Sequence, residues 1–248
     1  MTKRVALVTG GNGGIGSAIC RELASQGHTV VAGYFPPEKE IAEAWQKEMD
    51  NQGFTIALAA MDVSSFEDSE RVIGEIAEQH GSVEILVNCA GITRDGTLKK
   101  MPEAAWKAVI ATNLDSAFNT TRHVINGMLD KGWGRIVNIS SVNGQRGQFG
   151  QANYSAAKAG MHGFTMAVAL ETAAKGITVN TVSPGYIATA MTEAMPENVL
   201  EAIVNSVPMR RMGKPEEIAN TVAWLVSEGN AYTTGANIPV NGGLFTSH

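Results

Sequence analysis

Short runs rich in β-branched and other apolar residues alternate with longer amphipathic stretches along the whole chain. The runs 4–8, 29–32, 55–61, 85–88, 135–139, 178–182 and 237–240 read as strands, and 15–26, 38–51, 66–79, 104–129, 154–174 and 216–227 read as helices. Several helical stretches end in glycine, at Gly27, Gly53, Gly81 and Gly176, where a left-handed cap residue is inexpensive. Strand–helix alternation of this kind is the mark of βαβ units. With right-handed crossovers it predicts an α/β fold of Rossmann type: a doubly wound parallel sheet of about seven strands, helices on both faces, in a single domain over 1–248. Ligands of such sheets bind beyond the carboxyl ends of the strands, so the residues at those ends are the ones to read for chemistry.

Composition narrows the partners. At 248 residues with 44% hydrophobic content, the chain is long enough for one large core and holds no low-complexity tract or repeat. The net charge of −5 and the lack of any basic cluster beyond Arg210 and Arg211 argue against nucleic acid. The first apolar run stops at Val8, short of a signal-peptide core, and no stretch approaches the ~20 apolar residues of a membrane span, so no membrane partner is expected. Cys20 and Cys89 make no disulfide framework, which points to the reducing cytoplasm. His28, His80, His123, His162 and His248 sit at no zinc-ligand spacing, and no catalytic metal is expected.

The loop 9–16, reading TGGNGGIG, joins the first strand to the first helix. Glycines at 10, 13, 14 and 16 let the backbone approach a pyrophosphate, while the free N–H groups of the helix start favour the anion, with Asn12 and Ile15 flanking it. A dinucleotide is therefore expected. The second strand ends Ala32-Gly33-Tyr34-Phe35 without the acid that usually binds ribose hydroxyls; the first carboxylate is Glu38, after Pro36 and Pro37 and before Lys39. The missing acid permits a 2′-phosphate, although no arginine is placed to clamp it, and NADPH is the cofactor expected. Farther along, Asp62-Val63 closes the third strand, where Asp62 fits either an adenine acceptor or a loop and capping acid. Asn88-Cys89-Ala90-Gly91 closes the fourth with small residues. Asn113 stands inside a helical pattern, a poor place for asparagine unless its amide makes a specific bond or distorts the helix.

Segment 141–158, SVNGQRGQFGQANYSAAK, carries the sharpest chemistry. Tyr154 and Lys158 at i and i+4 share a helix face, and a neighbouring cation favours the phenolate of a tyrosine whose ordinary pKa is near ~10. That makes a proton donor usable nearer neutrality. Ser141, across a glycine-rich loop, is placed to donate to the same substrate oxygen. Taken alone, a Tyr-x-x-x-Lys spacing also suits an ordinary solvated helix pair.

With these elements in order, the chain resembles the classical short-chain dehydrogenase/reductases: TGxxxGxG at 9–16, Asp62, N-x-A-G at 88–91, Asn113, Ser141, Tyr154, Lys158, and Pro184-Gly185 with Thr189. Cys89 departs from the family, which commonly has a second asparagine there. Within the family, GITRD at 91–95, the run 138–160 and SPGYIAT at 183–189 are most similar to the acetoacetyl-CoA reductase branch of polyhydroxybutyrate synthesis. The resemblance implies that Tyr154 protonates the carbonyl oxygen, Ser141 polarises it, Lys158 binds the nicotinamide ribose and lowers the tyrosine pKa, and Asn113 holds a water leading from Lys158 to solvent. It adds Tyr34, Lys39, Val63, Asn88, Ala90, Gly91, Ile92, Pro184, Gly185, Ile187 and Thr189 to the cofactor contacts expected at the loop and at Asp62. For the acyl-CoA substrate, Gln148, Phe149 and Gln151 between Ser141 and Tyr154, and Tyr186 after Pro184-Gly185, are placed to line the pocket, with Asp95 and Lys100 as outer contacts and Lys99, Lys100, Arg94 and Arg146 near the phosphates; plain loop packing is the other reading of Phe149 and Tyr186, and a solvated surface that of each base. Segment 190–209, with Met191, Met195 and Met209, reads as a substrate lid or as ordinary packing. A homotetramer is implied by the resemblance. The rival functions are a 3-oxoacyl-(acyl-carrier-protein) reductase and, in another class, a non-catalytic NADPH-binding sensor.

Overall fold

The computed structural model describes residues 2–189, 192 and 196–246. All seven expected strands form: Val5–Thr9 (β1), Thr29–Tyr34 (β2), Ile56–Ala60 (β3), Ile85–Asn88 (β4), Gly134–Ile139 (β5), Ile177–Pro184 (β6) and Asn237–Val240 (β7). They pair in parallel in the order β3-β2-β1-β4-β5-β6-β7. The winding direction reverses between β1 and β4, which opens a crevice at their carboxyl ends. Thr9 ties the two loops together there, its hydroxyl accepting from the N–H groups of Cys89 and Ala90, both at 3.0 Å.

The helices are Gly14–Ser25 (α1), Lys39–Asn51 (α2), Phe66–His80 (α3), Glu103–Ile110 (α4), Ser116–Lys131 (α5), Val142–Arg146 (α6), Ala152–Thr172 (α7), Glu197–Ser206 (α8) and Pro215–Val226 (α9). Period-two alternation sends Ala6, Val8, Val30 and Val137 to one face, against Ile19 and Leu23 of α1, Met49 of α2 and Val222 of α9. Leu7, Val31, Leu86 and Ile136 go to the other, against Val72 and Ile76 of α3, Val124 and Met128 of α5 and Ala169 of α7. Each such leucine or isoleucine taken fully from water contributes about 1.5–3 kcal/mol, so both faces hold the sheet between two helix layers.

Two departures from the sequence expectation bear on function. The helix expected over 104–129 is in three parts, α4, a π-helical turn Ala111–Asp115, and α5. In addition, α6 forms between β5 and α7, where only a loop was expected, because Ser141 caps it by accepting from the N–H of Asn143 at 3.1 Å. The four glycines expected to end helices all have positive φ, between 73° and 97°. Among the described residues no helix is long and apolar enough to cross a membrane.

Candidate active site

A cleft of about 600 Å³ lies over the carboxyl ends of the sheet, lined by the glycine loop, the segments after β4, β5 and β6, and α7. Bare backbone shapes one end. A Cβ on Gly16 would overlap the carbonyl oxygen of Gly10, and one on Gly14 would come 2.7 Å from the Thr189 methyl, so only glycine leaves this cradle open. The start of α1 has no side-chain cap and no acid in its first turn, which leaves its N–H groups and dipole free for a pyrophosphate. These features fit a dinucleotide.

At the other end β5 delivers Ser140 and Ser141, and α7 delivers Tyr154 and Lys158. The Lys158 ammonium, 3% exposed, donates to the Ile139 carbonyl at 2.8 Å, while the Ser140 hydroxyl donates to the Lys158 carbonyl at 2.8 Å. The strand end thus grips α7 through both the side chain and the main chain of one residue. Burial pushes the Lys158 pKa down to about 8. Its nitrogen lies 5.7 Å from the centroid of the Tyr154 ring.

Tyr154 differs from expectation. Its pKa is raised, by burial first, with the Ser141 hydroxyl pulling in the opposite direction and Lys158 not among the causes. Desolvation of the phenolate outweighs the Ser141 hydrogen bond, so without cofactor the phenol keeps its proton throughout the neutral range. Cys89, half-buried on the cleft wall, has a thiol whose pKa desolvation pushes up to about 11.

Close approach of α6 to α7 sets the spacing of Ser141 from Tyr154. A Cβ on Gly144 would stand 2.8 Å from the Lys158 carbonyl carbon and 2.9 Å from the Ala159 nitrogen, both main-chain atoms that cannot swing aside. Gly144→Ala is therefore expected to cost about 1–3 kcal/mol of stability and to lower kcat by displacing Ser141. Thermal unfolding and steady-state turnover check this; wild-type values in both would mean that the contact yields to a methyl group.

Asn113 is fully buried in the π-helical turn. Its amide donates to the carbonyls of Ile92 at 2.9 Å and Val109 at 2.8 Å, and its oxygen accepts from the Ile92 N–H at 3.1 Å. Both alternatives open to a mid-helix asparagine are met, the specific bond and the distortion. With both amide hydrogens used, a water on Asn113 is left the second lone pair of its side-chain oxygen or its main-chain carbonyl. Gly91 is packed so closely on this amide that a methyl there would overlap Asn113 Oδ1.

Of the other expected cofactor residues, Gly10, Asn12, Gly13, Gly14, Ile15, Gly16, Ala90, Gly91, Ile92, Pro184, Gly185, Ile187 and Thr189 line the cleft. Five do not. Tyr34 and Val63 are buried in the packing, and Lys39 faces outward, 3.7 Å from Glu43. Asp62 accepts from the Ser64 N–H at 3.0 Å and its hydroxyl at 2.6 Å, a turn acid's bonding. Asn88 belongs to a buried chain, taking the Thr120 hydroxyl at 2.7 Å and donating to Asn138 at 2.8 Å, which in turn donates to Thr165 at 2.8 Å. That chain joins β4, β5 and α7 beneath the cleft, where satisfied polar groups give a unique arrangement.

Among the expected substrate contacts, Gln151 and Tyr186 line the cleft beside Ser141 and Tyr154. Gln151 is clamped, donating to Asp95 at 2.9 Å and accepting from Asn143 at 2.9 Å. Asp95, Gln148 and Lys100 lie exposed outside the cleft lining, and Phe149, 88% exposed, stands in solvent. In the expected lid, α8 and Met209 are described, whereas Met191 and Met195 lie outside the described residues. Sequence reasoning overlooked Asn143 and Thr192 as cleft residues and set Glu38 aside. Asn143 follows from a five-residue helix with no sequence period to announce it; Thr192 reaches the site by donating to the Ile187 carbonyl at 2.9 Å.

Comparison with known proteins agrees with this geometry. Residues 4–200 match the family described as short chain dehydrogenase. An acetoacetyl-CoA reductase of Allochromatium vinosum is 62% identical, over 98% of both chains. One of Cupriavidus necator is 54% identical over 98% of this chain and 99% of its own. A 3-oxoacyl-(acyl-carrier-protein) reductase of Pseudomonas aeruginosa is 44% identical over 98% of each.

Proposed function

This chain belongs to the short chain dehydrogenase family, and from that premise we propose that it reduces acetoacetyl-CoA to (R)-3-hydroxybutyryl-CoA in the cytoplasm. The observation that carries the reading is the meeting of Ser141, Tyr154 and Lys158 at one end of a cleft whose other end is an uncapped helix start behind a glycine cradle. A reduced nicotinamide, when bound, supplies hydride to the carbonyl carbon. Its pyrophosphate would rest on Gly13, Gly14 and Ile15, and its nicotinamide ribose on Lys158, whose ammonium gives one hydrogen to the Ile139 carbonyl and another, weakly, to Met161 Sδ at 3.9 Å, leaving the third for the ribose. The absence of an acid at the end of β2 itself favours NADPH, whereas Glu38, farther along and in the cleft lining, weighs against a 2′-phosphate.

Tyr154 donates its proton to the oxygen as negative charge develops there. The Ser141 oxygen accepts from Asn143, which leaves its own hydrogen free to point at the same oxygen. Lys158 holds positive charge beside the phenolate that results, and a water at Asn113 would return the proton from solvent. The acyl end is met by Gln151, held between Asp95 and Asn143, and by the aromatic wall of Tyr186, a pairing that suits a four-carbon acyl chain. The (R) configuration rests on the family resemblance alone. Exposed Met166 and Leu170 on α7 and Phe118 on α5 form apolar surface consistent with a homotetramer.

A carrier-protein reductase would use the same catalytic groups, so the two activities separate only by substrate. Turnover of acetoacetyl-CoA and of an acetoacetyl carrier protein at matched concentration is expected to favour the former. A strong preference for the carrier protein would reassign the chain to fatty-acid synthesis.

A further inference from the structure

We propose that Glu38 takes the hydroxyls of the adenosine ribose and makes this cleft select NADH over NADPH, the reverse of the cofactor the strand end alone suggests. The proposal rests on the dehydrogenase reading above and specifies its cofactor.

The residue at the usual position of the acid, Tyr34 at the end of β2, is buried and takes no part in the cleft lining. The chain then turns at once. Pro36, Pro37 and Glu38 form a single 3₁₀ turn, closed by the Glu38 N–H donating to the Phe35 carbonyl at 2.8 Å. Two consecutive prolines hold φ near its helical value, so the turn is set before any ligand arrives. It folds the Glu38 side chain back over the glycine loop, where its Oε2 accepts from Asn12 Nδ2 at 3.4 Å. A carboxylate is thereby restored to the β2 side of the phosphate cradle, the side on which the adenosine half of a dinucleotide lies.

The charge around it is equally one-sided. Among the described residues lining the cleft, Glu38 is the lone carboxylate and Lys158 the lone lysine or arginine, and Lys158 sits at the far end with Ser141 and Tyr154. Lys39, the base next in sequence, is directed away toward Glu43. A ribose with free hydroxyls meets an acceptor that takes charge-assisted hydrogen bonds. A 2′-phosphate meets a like charge and no cation, which is selection by repulsion as much as by attraction. Because the carboxylate is exposed, the repulsion is screened by salt.

The test is direct binding of NADH and of NADPH to the full-length protein, followed by calorimetry, with 5′-AMP and adenosine 2′,5′-bisphosphate as competing probes that lack the nicotinamide. The wild type is expected to bind NADH about tenfold or more tighter than NADPH and 5′-AMP tighter than the bisphosphate. The gap should narrow at high salt. Glu38→Gln, which keeps the shape and removes the charge, is expected to close most of it, chiefly by strengthening NADPH. Tighter NADPH binding by the wild type, or a ratio unmoved by Glu38→Gln, would overturn the proposal while leaving the dehydrogenase reading intact. If neither dinucleotide bound, both would fall.

Discussion

Replacing Tyr154 with phenylalanine is expected to lower kcat for ketone reduction by about a hundred- to ten-thousand-fold, the usual worth of a positioned acid. The ring that stands by Lys158 remains, so nothing in the cleft is emptied. Dinucleotide affinity should therefore be nearly unchanged, and steady-state turnover beside a binding titration separates the two effects. Burial holds the phenol protonated in the neutral range, so the proton it is proposed to give is in place before substrate arrives. Undiminished kcat in Tyr154→Phe would refute the assigned acid, and loss of cofactor binding would recast the residue as structural.

Lys158→Met is expected to abolish most turnover and yet to stabilise the cofactor-free protein. The ammonium titrates at about 8 in the folded chain against an ordinary 10.5, because it is buried with no carboxylate partner. Between those values the unfolded chain binds more protons than the folded one, so wild-type stability rises with pH across that window. Below pH 8 the whole penalty is present, up to about 3 kcal/mol. Methionine has a similar volume and no charge, and it gives up only the hydrogen bond to Ile139. A gain of about 1–2 kcal/mol at pH 7 should appear as a Tm higher by a few degrees, shrinking as pH approaches 10.5. A Tm equal to or below wild type at pH 7 would mean that the cation is solvated or paired in solution. On the proposed reading, Lys158 is placed for chemistry at the expense of stability, as functional sites commonly are.

Much of this was readable in the chain before folding. The seven strands came from apolar runs of the right length, because a strand covered on both faces must be apolar throughout, and β4 and β7 were located to the residue. The glycine loop and the Tyr154–Lys158 pair were legible because each is local: a tight turn and an i,i+4 spacing need no knowledge of the rest of the fold. Asn113 was legible as an anomaly, an asparagine where a helix prefers none, and the π-helical turn is its structural counterpart.

Contacts between segments distant in sequence were not. Asp62 and Asn88 sit alike at strand ends, yet the Asn88 amide is taken up by Thr120 and Asn138, whereas Asp62 uses only one carboxylate oxygen, on Ser64. Lys39 and Glu38 are adjacent in sequence, and only the proline turn decides that the acid faces the glycine loop and the base faces outward. The raised tyrosine and lowered lysine pKa values follow from burial, which no spacing reports. By itself, then, the sequence determined the sheet, the glycine loop between β1 and α1, and the Tyr154–Lys158 pair on one helix, since these depend on local periodicity and short-range geometry. The tertiary structure alone decided which polar groups remain free for a ligand and how strongly each is desolvated, since both depend on what the rest of the chain brings alongside.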